Sequence, residues 1–196
     1  MVKRVGVLAL QGDVAEHAGA LARCGVAAVR VRRPADLAGL DALVLPGGES
    51  TTIGQLAVDY GLVQPLRDFV ASGKPVWGTC AGLILLARDA GHAQPLVGGL
   101  DVRVDRNAFG RQVASFETDL DVAGLAGGPF RAVFIRAPAV VEAGPGVDVL
   151  ARLDDGPIVA VRQGAILGTA FHAELGDDLR VHRLFLGMGE PNVDAP

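Results

Sequence analysis

The residues best placed to do chemistry are one cysteine and a closely spaced histidine–glutamate pair. In Pro75-Val76-Trp77-Gly78-Thr79-Cys80-Ala81-Gly82-Leu83-Ile84-Leu85-Leu86-Ala87, an apolar run leads into small residues around Cys80 and then into a second apolar run. Read as strand, sharp turn and helix, this puts the Cys80 side chain at the carboxyl edge of a sheet, facing the start of the next helix. Gly78 and Gly82 relieve the crowding such a corner imposes. The form G-x-C-x-G is the thiol counterpart of a serine hydrolase elbow. Taken alone, Cys80 also fits a buried residue packing as a small hydrophobe. A thiol nucleophile needs a base, and the base needs a group to orient it. The histidines are His17, His92, His172 and His182. Only His172 ends a β-rich run, Ala165-Ile166-Leu167-Gly168-Thr169-Ala170-Phe171, and precedes a carboxylate by two positions. In an extended segment residues i and i+2 face the same way, so Glu174 can hold the His172 ring from the nitrogen far from the thiol. Cys80, His172 and Glu174 are therefore the expected nucleophile, base and orienting acid. His17, His92 and His182 read as surface or partner-facing.

A third element completes this chemistry. Gly47-Gly48-Glu49-Ser50 directly follows the apolar run 43–45. In a parallel sheet this loop and the Cys80 corner share the carboxyl edge, where open α/β sheets bind ligands. Backbone N–H groups of Gly48 and Ala81 can then face a developing oxyanion. No G-x-x-x-x-G-K-[ST] run is present to support a phosphate loop.

The elements that must position these groups follow from periodicity. Residues 5–10 form a continuous apolar run, expected as a strand buried on both faces. Asp13 and Glu16 have the spacing of a capping box, so a helix is predicted to about residue 24, closed by Gly25. Strands are predicted at 26–31 and 43–45. A helix capped by Ser50 or Thr51 should run to about 60, and another over 62–71 should precede the Cys80 strand. Strand and helix alternate, so the fold class is α/β: a three-layer sandwich with a mainly parallel, flavodoxin-like central sheet. From residue 101 to 169 the texture becomes short β-rich runs, at 101–104, 112–118, 131–135, 147–153, 158–162 and 165–169. These predict a mixed or antiparallel extension of that sheet. A last helix is expected at 177–188, with a frayed tail from about 190 to 196.

The totals narrow the possibilities. A chain of 196 residues, half of them apolar, suits one well-packed domain spanning 1–196. Net charge is −4 with no basic tract, which argues against a nucleic-acid surface. No apolar run reaches membrane-spanning length, so no membrane role and a cytoplasmic location are expected. Two cysteines, Cys24 and Cys80, make neither a disulfide framework nor a metal site. No metal or cofactor is called for.

With these pieces together, the chain resembles the class I (triad) glutamine amidotransferases, and more closely the PdxT/SNO family, the glutaminase subunits of pyridoxal 5′-phosphate synthase. The segments that carry the resemblance are Val7-Leu8-Ala9-Leu10-Gln11-Gly12, Leu45-Pro46-Gly47-Gly48-Glu49-Ser50-Thr51-Thr52, Gly78-Thr79-Cys80-Ala81-Gly82-Leu83, Arg106-Asn107-Ala108-Phe109-Gly110-Arg111-Gln112, Phe134-Ile135-Arg136-Ala137-Pro138 and Phe171-His172-Ala173-Glu174-Leu175. The resemblance implies hydrolysis of L-glutamine by Cys80, His172 and Glu174, in a pocket lined by Gly48, Glu49, Ser50, Arg106, Ile135 and Arg136. A guanidinium and a carboxylate suit the charged ends of glutamine. It further implies delivery of ammonia to a (β/α)₈ synthase subunit, in a large hetero-oligomer that makes pyridoxal 5′-phosphate. The Gly47–Gly48 peptide is then the expected gate, turned by docking of that partner near the first helix. A glutaminase serving another synthase, or a catalytically silent organising subunit, is the alternative. Two positions depart from the family pattern: Ala173 stands for the usual Pro and Ala9 for the usual Gly.

Overall fold

The computed structural model describes residues 4–106, 108, 115–154 and 156–188. In chain order its elements begin with β1 (Arg4–Leu8), α1 (Val14–Arg23), β2 (Ala27–Val31), a 3₁₀ turn at Pro34–Leu37, β3 (Ala42–Leu45), α2 (Ser50–Asp59) and α3 (Val63–Ala71). They continue with β4 (Val76–Thr79), α4 (Ala81–Leu86), β5 (Ala87–Asp89), β6 (Leu100–Asp105), β7 (Ser115–Leu120) and β8 (Phe130–Ile135). The last are β9 (Ala139–Ala143), β10 (Asp148–Arg152), β11 (Ile158–Gln163), β12 (Ile166–Thr169), a 3₁₀ turn at Ala173–Leu175 and α5 (Arg180–Gly187).

The large sheet runs β2-β1-β3-β4-β12-β11-β9-β6-β5, with β10 on β11. From β2 to β12 every pairing is parallel. These strands sit between helices, which is why β3 and β4 read as apolar runs with no alternation and are buried at every position. Beyond β12 the sheet turns antiparallel through β11, β9 and β6. The α/β class and the mixed extension are as the sequence predicts.

The neighbouring strands β4 and β12 matter most. Thr79 is in register with Thr169, so the chain segments following each strand emerge side by side at the carboxyl edge. Trp77, fully buried at the centre of β4, donates its indole N–H to Thr169 Oγ1 at 3.1 Å and ties the two strands together. Truncating a core aromatic of this size costs about 3–5 kcal/mol.

Four local expectations give way. The Asp13 side chain makes no cap hydrogen bond at the start of α1, because its carboxylate is turned to His172. Helix α2 is capped by Glu49, whose carboxylate accepts the Thr51 N–H, rather than by Ser50 or Thr51. Strands β7 and β8, predicted as part of the main sheet, form a separate two-stranded antiparallel ribbon. The alternating burial of β8, with Phe130, Ala132 and Phe134 inward, explains why: one face packs down and the other stays exposed. Phe130 and Phe134 rest on Phe171, and Val133 accepts the backbone N–H of His172 at 2.8 Å. The ribbon thus clamps the His172 segment. Finally, α5 is shorter at its start than predicted, because Asp178 accepts the Arg180 N–H and side chain and holds the entry as a turn. Residues 112–114 of one predicted strand and the 190–196 tail lie outside the described residues.

Candidate active site

Cys80 occupies the corner between β4 and α4 with φ 47° and ψ −102°. A non-glycine residue held there costs on the order of 1–3 kcal/mol, and such strain persists only where the surroundings enforce it. They do so here. Cys80 N–H donates to Thr169 O at 2.8 Å. A Cβ on Gly82 would lie 1.9 Å from Leu45 O, and one on Gly78 would lie 2.5 Å from the Gly82 backbone. The two glycines let α4 start directly against the ends of β3 and β4, and the thiol projects from that junction only 7% exposed.

His172 follows β12 on the adjacent strand. Its Nδ1 lies 2.7 Å from Glu174 Oε1, so the two residues face each other as the i, i+2 spacing predicts. Asp13 Oδ2 stands 3.3 Å from the same Nδ1. With Nδ1 occupied, Nε2 is the ring nitrogen left for the thiol of Cys80, which is among the groups that favour the charged ring. Burial works to lower the His172 pKa, but the bonds with Asp13, Cys80 and Glu174 overcome it and push His172 up to about 12. Burial likewise lifts the Glu174 carboxyl above its ordinary range, and the His172 bond pulls it back. Those contacts stabilise the protonated ring, the form His172 takes once it holds the thiol's proton. Asp13, His172 and Glu174 also form the one three-residue cluster with metal-ligand spacing among the described residues. Their contacts are already accounted for by proton sharing on Nδ1.

The Gly-Gly loop packs on the β1–α1 loop. Gly47 O accepts the Asp13 N–H at 3.2 Å, and Gln11 Oε1 accepts the Glu49 N–H at 2.8 Å. A Cβ on Gly47 would lie 2.4 Å from His172 Cε1, so only glycine lets the loop approach the ring this closely. In a trans peptide the Gly48 N–H points opposite to the Gly47 carbonyl, away from Asp13.

The model of the SNO glutamine amidotransferase family matches residues 7–190. The chain belongs to that family. Among its relatives, the pyridoxal 5′-phosphate synthase subunit PdxT of Parafrankia sp. (strain EAN1pec) is 63% identical over 186 residues, spanning 93% of this chain and 91% of the relative. The PdxT subunit of Clavibacter sepedonicus is 58% identical over 189 residues, spanning 95% and 90%. A crystal structure of a glutamine amidotransferase superposes with a TM-score of 0.89 at 54% identity, covering 94% of this chain and 98% of that one. PurLQS from Thermotoga maritima shares the fold at a TM-score of 0.72 and 19% identity, covering 97% and 100%.

The residues expected to line the glutamine pocket fall in three places, at Glu49 with Arg106, at Ile135 with Arg136, and at Ser50. Glu49 and Arg106 meet as an ion pair at 2.6 Å, with His92 Nε2 3.0 Å from Arg106 on its other side. Burial opposes ionisation of Glu49, but Thr51 and Arg106 outweigh it and hold the carboxyl below its usual range. Ile135 lies across from Cys80, its carbonyl 4.0 Å from Cys80 Sγ. Arg136, next along, is exposed with φ 44°. Ser50 is buried and hydrogen-bonds Gln94 Oε1 at 3.1 Å, so it braces the loop. Of the Arg-Asn-x-Phe-Gly-Arg-Gln segment only Arg106 and Ala108 are described.

Two histidines expected at the surface are instead fully buried. His17 and His182 are both 0% exposed and pack around Trp77, with ring centroids 5.2 and 4.8 Å from it. The signal was present: His17 shares a helix face with Ala20 and Leu21, and His182 with Phe185. Asp13 is less legible, since its spacing suits a helix cap while its carboxylate turns to His172.

Proposed function

We propose that the chain is a glutaminase in which Cys80, His172 and Glu174 hydrolyse L-glutamine and release ammonia for pyridoxal 5′-phosphate synthesis. The observation that carries this reading is the Glu174–His172 pair at 2.7 Å facing a strained Cys80 on the neighbouring strand. The thiol proton passes to His172 Nε2, and Sγ attacks the carboxamide carbon. The oxyanion that forms is met by the N–H groups of Gly48 and Ala81. His172 returns the proton to the departing nitrogen, ammonia leaves, and a glutamyl thioester remains. Water, activated by His172, then releases glutamate and restores the thiol. Glu174 keeps the ring oriented throughout. Glu49 and Arg106 recognise the charged ends of the substrate, with Arg136, Ser50 and Ile135 shaping the pocket.

The partner in this reading is a (β/α)₈ synthase subunit that takes the ammonia; the PdxT relatives are named as subunits of a pyridoxal 5′-phosphate synthase, which supports a partner subunit. Residues 1–196 act as one catalytic domain. No helix of the described residues is long and apolar enough to cross a membrane. The test is glutamate release by the purified chain, alone and with saturating synthase, for wild type and Cys80→Ala. Cys80→Ala should be inactive in both conditions. Hydrolysis surviving in that variant would discard the nucleophile.

A further inference from the structure

Behind the triad lies a buried polar cluster that the hydrolysis above does not use. His17 Nε2, on α1, stands 3.1 Å from Thr79 Oγ1 and 3.5 Å from Glu174 Oε2. Glu174 Oε2 is buried and has no hydrogen-bond partner among the described residues, with His17 Nε2 3.5 Å away. Its sister oxygen Oε1 is the one that holds His172. A carboxylate fixed at one oxygen alone can pivot about that bond, and a buried oxygen without a donor is costly.

The tautomer of His17 follows from these contacts. If Nε2 carried no proton, its lone pair would face a carboxylate oxygen, and the proton on Nδ1 would be buried without an acceptor, since Nδ1 has no partner. With the proton on Nε2, the N–H meets Thr79 Oγ1 and presents positive charge 3.5 Å from Glu174 Oε2. Only an acceptor lone pair on Nδ1 is then left idle, which is the lesser loss. The ring also stays neutral. Burial first, and then the nearby His182 and His172, hold the His17 pKa well below its ordinary value. The titratable groups around the cluster are therefore Glu174 and His172 on one side, Asp13 beyond them, and His182 with Arg23 on the other.

We propose that His17 is a positioning residue for glutamine hydrolysis: its neutral Nε2–H steadies the second oxygen of Glu174 and so fixes the carboxylate that orients His172. The inference rests on the triad reading above. His17 touches neither substrate nor thiol, so its loss should change turnover and not substrate binding.

The experiment compares His17→Gln with His17→Asn in the chain assayed with saturating synthase. A glutamine amide can place an N–H where Nε2 stands, whereas an asparagine amide reaches only the Nδ1 position. His17→Gln should keep kcat within about threefold of wild type. His17→Asn should lose on the order of tenfold in kcat with KM unchanged, as second-layer partners of reactive histidines commonly do. Its acid limb should also move to higher pH, because an anion that loses a donor binds a proton more readily. Equal behaviour of the two variants, in kcat and in pH profile, would overturn the proposal. Wild-type tautomer state is read independently from the ¹⁵N shifts of the His17 ring, and a proton found on Nδ1 would overturn it without any substitution. Cys80→Ala run alongside separates the two failures. An active Cys80→Ala removes the triad reading itself, whereas an inactive one beside an unaffected His17→Asn removes only the role of His17.

Discussion

Gly47→Ala isolates the contact between the Gly-Gly loop and the His172 ring. The backbone of Gly47 is not in the left-handed region, so alanine meets no conformational penalty there. The obstacle is space. The new Cβ would lie 2.4 Å from His172 Cε1, 2.7 Å from Asp13 Oδ2 and 3.0 Å from His172 Nδ1. Carbon atoms in contact sit at about 3.5 Å, so the ring or the loop must retreat by roughly 1 Å. The ring is held by Glu174 at 2.7 Å, and the loop is held by Gly47 O on the Asp13 N–H. Either movement therefore breaks a bond the site depends on. A displacement of that size costs on the order of 10²-fold in rate, whereas the overpacking costs only about 1–3 kcal/mol of stability and leaves the chain folded. The assay is steady-state glutamate release with saturating synthase, together with the melting temperature. Gly19→Ala is the control, since nothing lies within 4 Å of a Cβ at that helical position. It should gain about 1 kcal/mol of stability with unchanged activity. A Gly47→Ala chain within threefold of wild-type activity would refute the close approach of loop to ring.

Three further outcomes follow from the same geometry. His172→Asn should cut turnover by about 10²–10⁴-fold, the usual worth of a general base, and Glu174→Gln should cut it less because the amide oxygen still accepts the Nδ1–H; pre-steady-state thioester formation in each variant checks both. Asp13→Asn removes one of the bonds that raise His172, so its pKa falls from about 12 and the alkaline limb of kcat/KM should move to lower pH; an unmoved limb would deny Asp13 its part. Burial, with Arg23 adding to it, holds His182 at about 4 in the fold against 6.5 unfolded, so the unfolded chain binds the proton first as pH falls. That stability is full above 6.5 and declines through the window down to 4, by roughly 3 kcal/mol in all, and urea unfolding at pH 7 and pH 5 should show a smaller loss for His182→Phe than for wild type.

The sequence and the structure agree where the signal is local. Gly78-Thr79-Cys80-Ala81-Gly82 is readable because a strand–helix corner has its own steric demands. His172-Ala173-Glu174 is readable because two residues in one extended step face the same way. Neither needs knowledge of the rest of the chain. What escaped the sequence is convergence through space. Asp13 has the spacing of a helix cap and the chemistry of a histidine partner, and only the approach of β12 to β1 and β3 across β4 favours the second use. His17 shares its helix face with the apolar Ala20 and Leu21, so its burial is legible, but only the packing around Trp77 shows what that face meets. The β7–β8 ribbon carries the same alternation as an edge strand, and nothing within 115–120 or 130–135 says which sheet those residues join.

The position of β12 also bears on how the protein becomes reactive. Cys80 is delivered by the first half of the chain, on strands that connect through short local crossovers. His172 arrives only when β12 inserts between β4 and β11, and the Trp77–Thr169 bond that marks this step joins residues 92 apart in sequence. Contacts so distant in the chain carry a large loop-closure cost and form late. A nascent chain that ends before Ile166 carries Cys80 without His172. Cys80 thus meets His172 in the same step that closes the sheet, and synthesis from the N-terminus leaves Cys80 without that neighbour until β12 has been made and paired.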